Sequence, residues 1–152
     1  MRIAFFFTSI LTAVAAFAPN SSFGHPSKLQ AIKTTDVPSE GDRSLVDGPN
    51  GTIIVTKSGG KFYAVDAKCP HLGLPMKKGK IEAGSDGVPV ITCNFHNSCF
   101  KMDSGKCTKW VTGALGQENG LIAGFMSKVG SEKTDVKAYK VSDNGDGSLT
   151  IE

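Results

Sequence analysis

The chain has 152 residues, 39% of them hydrophobic and 20% charged, which suits one globular domain behind a leader. Its net charge of +3 comes from Arg2, Lys28 and Lys33, so residues 36–152 are electrically balanced and nucleic acid is not an expected partner. No internal repeat occurs.

The first 16 residues read as a signal peptide: Met1-Arg2, an apolar run through Phe5-Phe6-Phe7, then Ala13-Val14-Ala15-Ala16 for a signal peptidase. The run falls short of the roughly 20 residues that span a bilayer, so no membrane span is expected in the mature chain. Residues 17–35 carry Ser21, Ser22, Ser27, Lys28, Lys33, Thr34 and Thr35 without an acid, the composition of a transit peptide. The junction Ala16-Phe17-Ala18-Pro19 resembles the cleavage motif of the bipartite leaders that import proteins through the ER into complex plastids. That resemblance implies a plastid destination, the alternative being secretion. Residues 36–42, with Pro38, Ser39 and Gly41, read as a linker, and 43–152 as the domain.

Strand signals follow in series. Ser44-Leu45-Val46 ends at the turn residues Gly48-Pro49-Asn50-Gly51. Thr52-Ile53-Ile54-Val55-Thr56 and Lys61-Phe62-Tyr63-Ala64-Val65 are β-rich runs joined by Ser58-Gly59-Gly60. The stretch 74–87 is rich in Lys and Gly and reads as a surface excursion. Around Asp103-Ser104-Gly105 a hairpin is expected that pairs Cys99 with Lys109 and Lys101 with Cys107, leaving Cys99 and Cys107 off register for a disulfide. In 111–135 the apolar stripe Leu121, Ile122, Phe125 and Met126 has helical spacing and is expected to pack on the core. The chain closes with a strand at 136–141, a turn at Asp143-Asn144-Gly145-Asp146-Gly147, and Leu149-Thr150-Ile151.

Two Cys-His pairs interrupt this β pattern: Cys69-Pro70-His71-Leu72-Gly73, and Cys93-Asn94-Phe95-His96-Asn97-Ser98-Cys99-Phe100. Each puts one thiolate and one imidazole on a loop at a strand end, the ligand types of iron, zinc or copper. The pattern Cys69-x-His71-x-Gly73 with Cys93-x-x-His96-x-Ser98-x-Phe100 resembles the Rieske [2Fe-2S] domain, in which two Cys hold one iron and two His the other. The resemblance covers about residues 43–152. It implies an all-β fold of stacked antiparallel sheets, with a small cluster-binding subdomain of two loops (69–75 and 93–100) at one tip. It also implies Cys69 and Cys93 as ligands of the inner iron, His71 and His96 as ligands of the outer one, and Ser98 as a donor to a bridging sulfide. Two ferric ions, two sulfides and two thiolates sum to zero charge, so such a centre accepts an electron more readily than an all-thiolate one.

Departures from the family refine the expectation. Leu74 and Phe95 stand where the cytochrome-complex members carry a disulfide, and Phe100 stands where they carry a donating Tyr. Asn94 and Asn97 replace the usual Pro and Gly of the second loop. Asn97 is tolerable there because Asn enters the left-handed region. The likeness is to the ferredoxin-type branch, a one-electron carrier serving an oxidoreductase or oxygenase system. A complete oxygenase needs a further two-His site, and His25, the one remaining His, lies in the leader. The rival reading of a Cys₂His₂ set is a zinc-binding or structural module. By the resemblance both His ligands would lie at an exposed tip, and Lys77, Lys78, Lys80 and Lys101 around it suggest a basic rim for an acidic ferredoxin, reductase or oxygenase.

Overall fold

A computed structural model describes residues 31–152 and shows an all-β architecture. The strands are β1 (Ile32–Thr34), β2 (Arg43–Gly48), β3 (Gly51–Ser58), β4 (Lys61–Asp66), β5 (Lys80–Ala83), β6 (Pro89–Thr92), β7 (Cys99–Lys101) and β8 (Cys107–Lys109). After β9 (Gly113–Ala114) and β10 (Gln117–Glu118) comes one helix, α1 (Gly120–Met126), and then β11 (Ala138–Tyr139), β12 (Val141–Asp143) and β13 (Leu149–Ile151). They form antiparallel sheets in the orders β11-β4-β3-β2, β1-β13-β12 and β5-β6-β7-β8, with β9-β10 as a separate hairpin.

The alternation of β2 buries Ser44 and Val46 and exposes Arg43 and Leu45, so this edge strand has one wet face. In β3 the run from Ile53 to Thr56 is buried throughout, because the strand feeds a core on each side. Ile54 joins Val65, Met76, Ile91, Phe100 and Met102, together with Cys69 and Cys93. Ile53 and Val55 join Val46, Ala64, Tyr139, Leu149 and Ile151. The hairpin expected between β3 and β4 is present, with Ser58 paired to Lys61 and only Gly59 and Gly60, at φ 58° and 73°, in the turn.

The expected signal peptide (1–16) and most of the expected transit-like segment (17–35) lie outside the described residues. The end of that segment belongs to the fold. Ile32 pairs with Ile151 and Thr34 with Leu149, and Ile32 packs on the second core, so the domain is under way well before Arg43. The following stretch is tied down as well: the Glu40 carboxylate accepts from the amides of Gly59 and Gly60, and Asp36 C=O accepts from Ser44 Oγ.

The excursion expected at 74–87 is partly sheet. Met76 is fully buried and β5 pairs along β6, because Ile81 and Met76 supply apolar anchors that the surrounding Lys and Gly residues mask in the sequence. In the β7–β8 hairpin Cys99 faces Lys109 as expected, but a bulge sets Phe100, not Lys101, opposite Cys107. All four cysteines among the described residues are free. The strand expected at 136–141 breaks at Lys140 and serves two sheets, β11 on β4 and β12 on β13.

Candidate metal centre

The two Cys-His loops are built on one frame. In the first, Cys69 N–H donates to Leu74 C=O and Gly73 N–H donates back to Cys69 C=O, both at 2.8 Å. In the second, Cys93 N–H donates to Ser98 C=O at 2.8 Å and Asn97 N–H donates to Cys93 C=O at 3.1 Å. The fourth residue after each Cys sits in the left-handed region, Gly73 at φ 69° and Asn97 at φ 57°. The frames differ in where they place the imidazole, at the second residue after Cys69 and at the third after Cys93.

These frames bring all four candidate ligands together. Cys69 and Cys93 are both buried, and their thiols interact with one another. The Cys69 thiol is pushed up, by Cys93 and by burial, whereas Cys93 is pulled down, first by Cys69 and then by the amides of Phe95 and His96. The two imidazoles meet edge to face with centroids 4.9 Å apart, and Trp110 lies 5.5 Å from His71. Burial, and then the neighbouring His71, hold His96 below the usual imidazole range and favour its neutral, ligating form. Among the described residues no three His, Cys, Asp or Glu side chains close around a single point. The arrangement is a thiol pair beside an imidazole pair.

His71 carries the most information. Its Nε2 lies 2.9 Å from Met126 C=O and 2.6 Å from Val129 C=O, and carbonyls only accept, so Nε2 bears the proton. In the neutral ring that leaves the lone pair on Nδ1, which is buried with no hydrogen-bond partner. An orphaned buried nitrogen is costly unless it has a ligand. A metal-bound imidazole has this arrangement, its other nitrogen donating to a carbonyl.

The carbonyls come from 111–131, a clasp over both loops. Thr112 N–H and Leu115 N–H donate to His96 C=O and Phe95 C=O, while Asn97 donates to Gln117 C=O and accepts from Gly116 N–H. On the first loop, Ser131 Oγ donates to Pro70 C=O and its amide to His71 C=O. Gly130 passes so close that a Cβ there would lie 2.4 Å from His71 C=O. His71 is consequently only 2% exposed, contrary to the exposed tip that the resemblance implied, and His96 alone of the two is partly open. Ser98 is fully buried and accepts from Val111 N–H at 3.1 Å, which leaves its hydroxyl proton to donate elsewhere. Val111 is held at φ 46°, an unfavourable region for a β-branched residue, at the point where the clasp leaves Ser98.

Sequence reasoning missed the clasp. The stripe on α1 was expected in the core, but no residue of α1 is buried: Leu121 is 89% and Phe125 70% exposed. The helix is tied to the first loop through Met126 C=O at its end. The one local signal was Asn119, which caps α1 by accepting from the amides of Leu121 and Ile122.

The chain is similar to known proteins to different extents. Apoptosis-inducing factor 3 of Mus musculus is 32% identical over 92 residues, which is 59% of this chain but only 13% of that protein. The 3-phenylpropionate/cinnamic acid dioxygenase ferredoxin subunit of Escherichia coli K12 is 29% identical over 79 residues, 52% of this chain and 69% of the subunit. Among solved structures, the ferredoxin of carbazole 1,9a-dioxygenase from Nocardioides aromaticivorans IC177 has the same fold, with 21% identity and a TM-score of 0.51 over 74% of this chain and 86% of that one. The Rieske [2Fe-2S] domain family matches residues 27–116, more than half of the chain. With paired thiols, paired imidazoles and an all-β frame in place, the chain belongs to the Rieske family and binds a [2Fe-2S] cluster.

Proposed function

We propose that this chain is a one-electron carrier of the Rieske ferredoxin type, with Cys69 and Cys93 on one iron and His71 and His96 on the other. The observation that carries the ligand assignment is the fixed proton on His71 Nε2, which turns an otherwise orphaned Nδ1 into a metal-ready lone pair. A [2Fe-2S] cluster, when bound, takes up and releases a single electron. The protein's own residues prepare that site: the twin loop frames fix the two sulfurs, the clasp fixes His71, and the Ser98 hydroxyl offers a donor. Iron and sulfide analysis with an EPR spectrum of the reduced protein tests the reading. A rhombic signal, lost in Cys69→Ala or Cys93→Ala and kept in Cys99→Ser, supports it; a colourless zinc protein with no signal rules it out.

The ferredoxin subunits among the relatives belong to dioxygenases, which makes an oxygenase or a reductase the natural class of partner. An acidic partner fits less well than the sequence suggested. Lys80 pairs with Glu82 and Lys101 with Asp86, so half of the expected basic rim is neutralised within the chain. No helix among the described residues is long and apolar enough to cross a membrane. The acid-free segment behind Ala16-Phe17-Ala18-Pro19 supports import into a plastid. A fluorescent fusion to residues 1–35 that overlaps chlorophyll in an alga with complex plastids is the expected outcome, and fluorescence in the medium would favour secretion instead.

A further inference from the structure

Large apolar side chains are exposed very unevenly. Of the eight among the described residues, six (Leu72, Leu115, Leu121, Ile122, Phe125 and Val129) lie on the first cluster loop or the clasp. Charge is nearly absent there. Residues 111–131 hold only Glu118 and Lys128, and Glu118 is paired with Lys109. An exposed apolar group of this kind is unfavourable on a surface that nothing covers. It adjoins His96, the partly open imidazole of the pair: Leu115 N–H is bonded to Phe95 C=O, and α1 ends at the carbonyl that holds His71, 4.9 Å centroid to centroid from His96.

We propose that Leu115, Leu121 and Phe125 form the docking surface for a redox protein with an uncharged, apolar face, which meets this chain beside His96. This rests on the electron-carrier reading. That reading also selects the occupant, because the chain's electron has to go to a different redox centre. A second copy offers the same potential, and a bilayer offers no centre at all. With His71 closed off by the clasp, the partner has one imidazole edge to approach, and the clasp that carries the apolar side chains is hydrogen-bonded to the loop that holds it. The contact holds through burial and not through charge, so it resists salt.

Electrodes of defined chemistry stand in for the partner's face. Gold carrying a methyl-terminated alkanethiol layer is compared with gold carrying a carboxylate-terminated layer of equal length, using the loaded protein, the Leu121→Gln/Phe125→Gln variant and the Lys77→Gln/Lys78→Gln/Lys80→Gln variant. The expected result is fast exchange on the methyl surface that persists as salt rises, falls by about tenfold or more in the Leu121/Phe125 variant, and is unchanged in the lysine variant. Equal rates for parent and Leu121/Phe125 variant on the methyl layer overturn the proposal, as does a preference for the carboxylate layer that fades with salt. A concentration-dependent dimer abolished by the same variant, or flotation with phosphatidylcholine vesicles, reassigns the face to a second copy or a lipid surface. A mediated redox titration in solution, read by EPR, keeps the two levels apart. A normal one-electron titration with failed electrode predictions sinks only the docking face, whereas no titration at all sinks the carrier reading.

Discussion

Ser98 and Asn97 sit side by side, yet the sequence reveals them unequally. The left-handed backbone at Asn97 was legible, since few residues other than Gly tolerate the position four residues after the second Cys. The bonds of its side chain to Gly116 and Gln117 were not, because they reach an element whose course no local pattern fixes. Ser98 was legible as a donor by family likeness; its acceptance from Val111 N–H emerged from the fold alone. That bond makes Ser98→Ala a double loss. A buried amide is left unpaired, and a donor near the sulfurs disappears. Urea unfolding should show the loaded variant less stable by about 1–3 kcal/mol, and a redox titration should show a lower potential. With Phe100 in place of a donating Tyr, the parent itself is expected in the lower half of the roughly −150 to +300 mV Rieske range, which voltammetry measures directly.

Among elements, the hairpins were legible and the clasp was not. The β3–β4 hairpin announces itself by Gly59-Gly60 between two alternating runs, and turn chemistry is local information. The segment 111–131 has a helical stripe like many buried helices, but its fixing contacts are backbone carbonyls and amides, which carry no side-chain signature. The same geometry separates two glycines of that segment. Gly130 has φ 95° and no room for a Cβ against His71 C=O, while Gly124 is helical with open space around it. Gly130→Ala should lift the end of the clasp from the first loop, with amide exchange at Ser131 accelerating by about tenfold or more in NMR. Gly124→Ala should leave that exchange unaccelerated and firm the helix by up to about 1 kcal/mol. Equal behaviour of the two variants would show that the clasp does not depend on the close approach at His71.

At the level of the whole molecule, β3 divides two cores of different chemistry. One contains Cys69 and Cys93 among its buried residues; the other contains no candidate ligand and is sealed by Tyr139, whose hydroxyl donates to Asp66 at 2.6 Å. Metal removal should therefore act unevenly. Stripping the iron is expected to raise hydrogen exchange in 69–109, while 43–66 and 138–151 keep much of their protection, as mass spectrometry of peptic peptides can follow. Burial first, and then Asp66, push Tyr139 up to about 12. Because its folded value lies above the ordinary one near 10, the stability it contributes is complete below about pH 10 and is lost as pH climbs toward 12. Tyrosinate absorbance should show one residue titrating late, together with unfolding.

The pairing of β1 with β13 sets a limit on any trimming of the amino terminus. Ile32, Lys33 and Thr34 lie along Ile151, Thr150 and Leu149, so any protease that trims the amino-terminal segment has to stop before Ile32 to leave this pairing intact. A cut beyond Thr34 would strip an edge strand and bare the partner face of β13, whose Leu149 and Ile151 are now buried. The amino terminus of the protein isolated from cells is thus expected at or before residue 32, and Edman sequencing can read it.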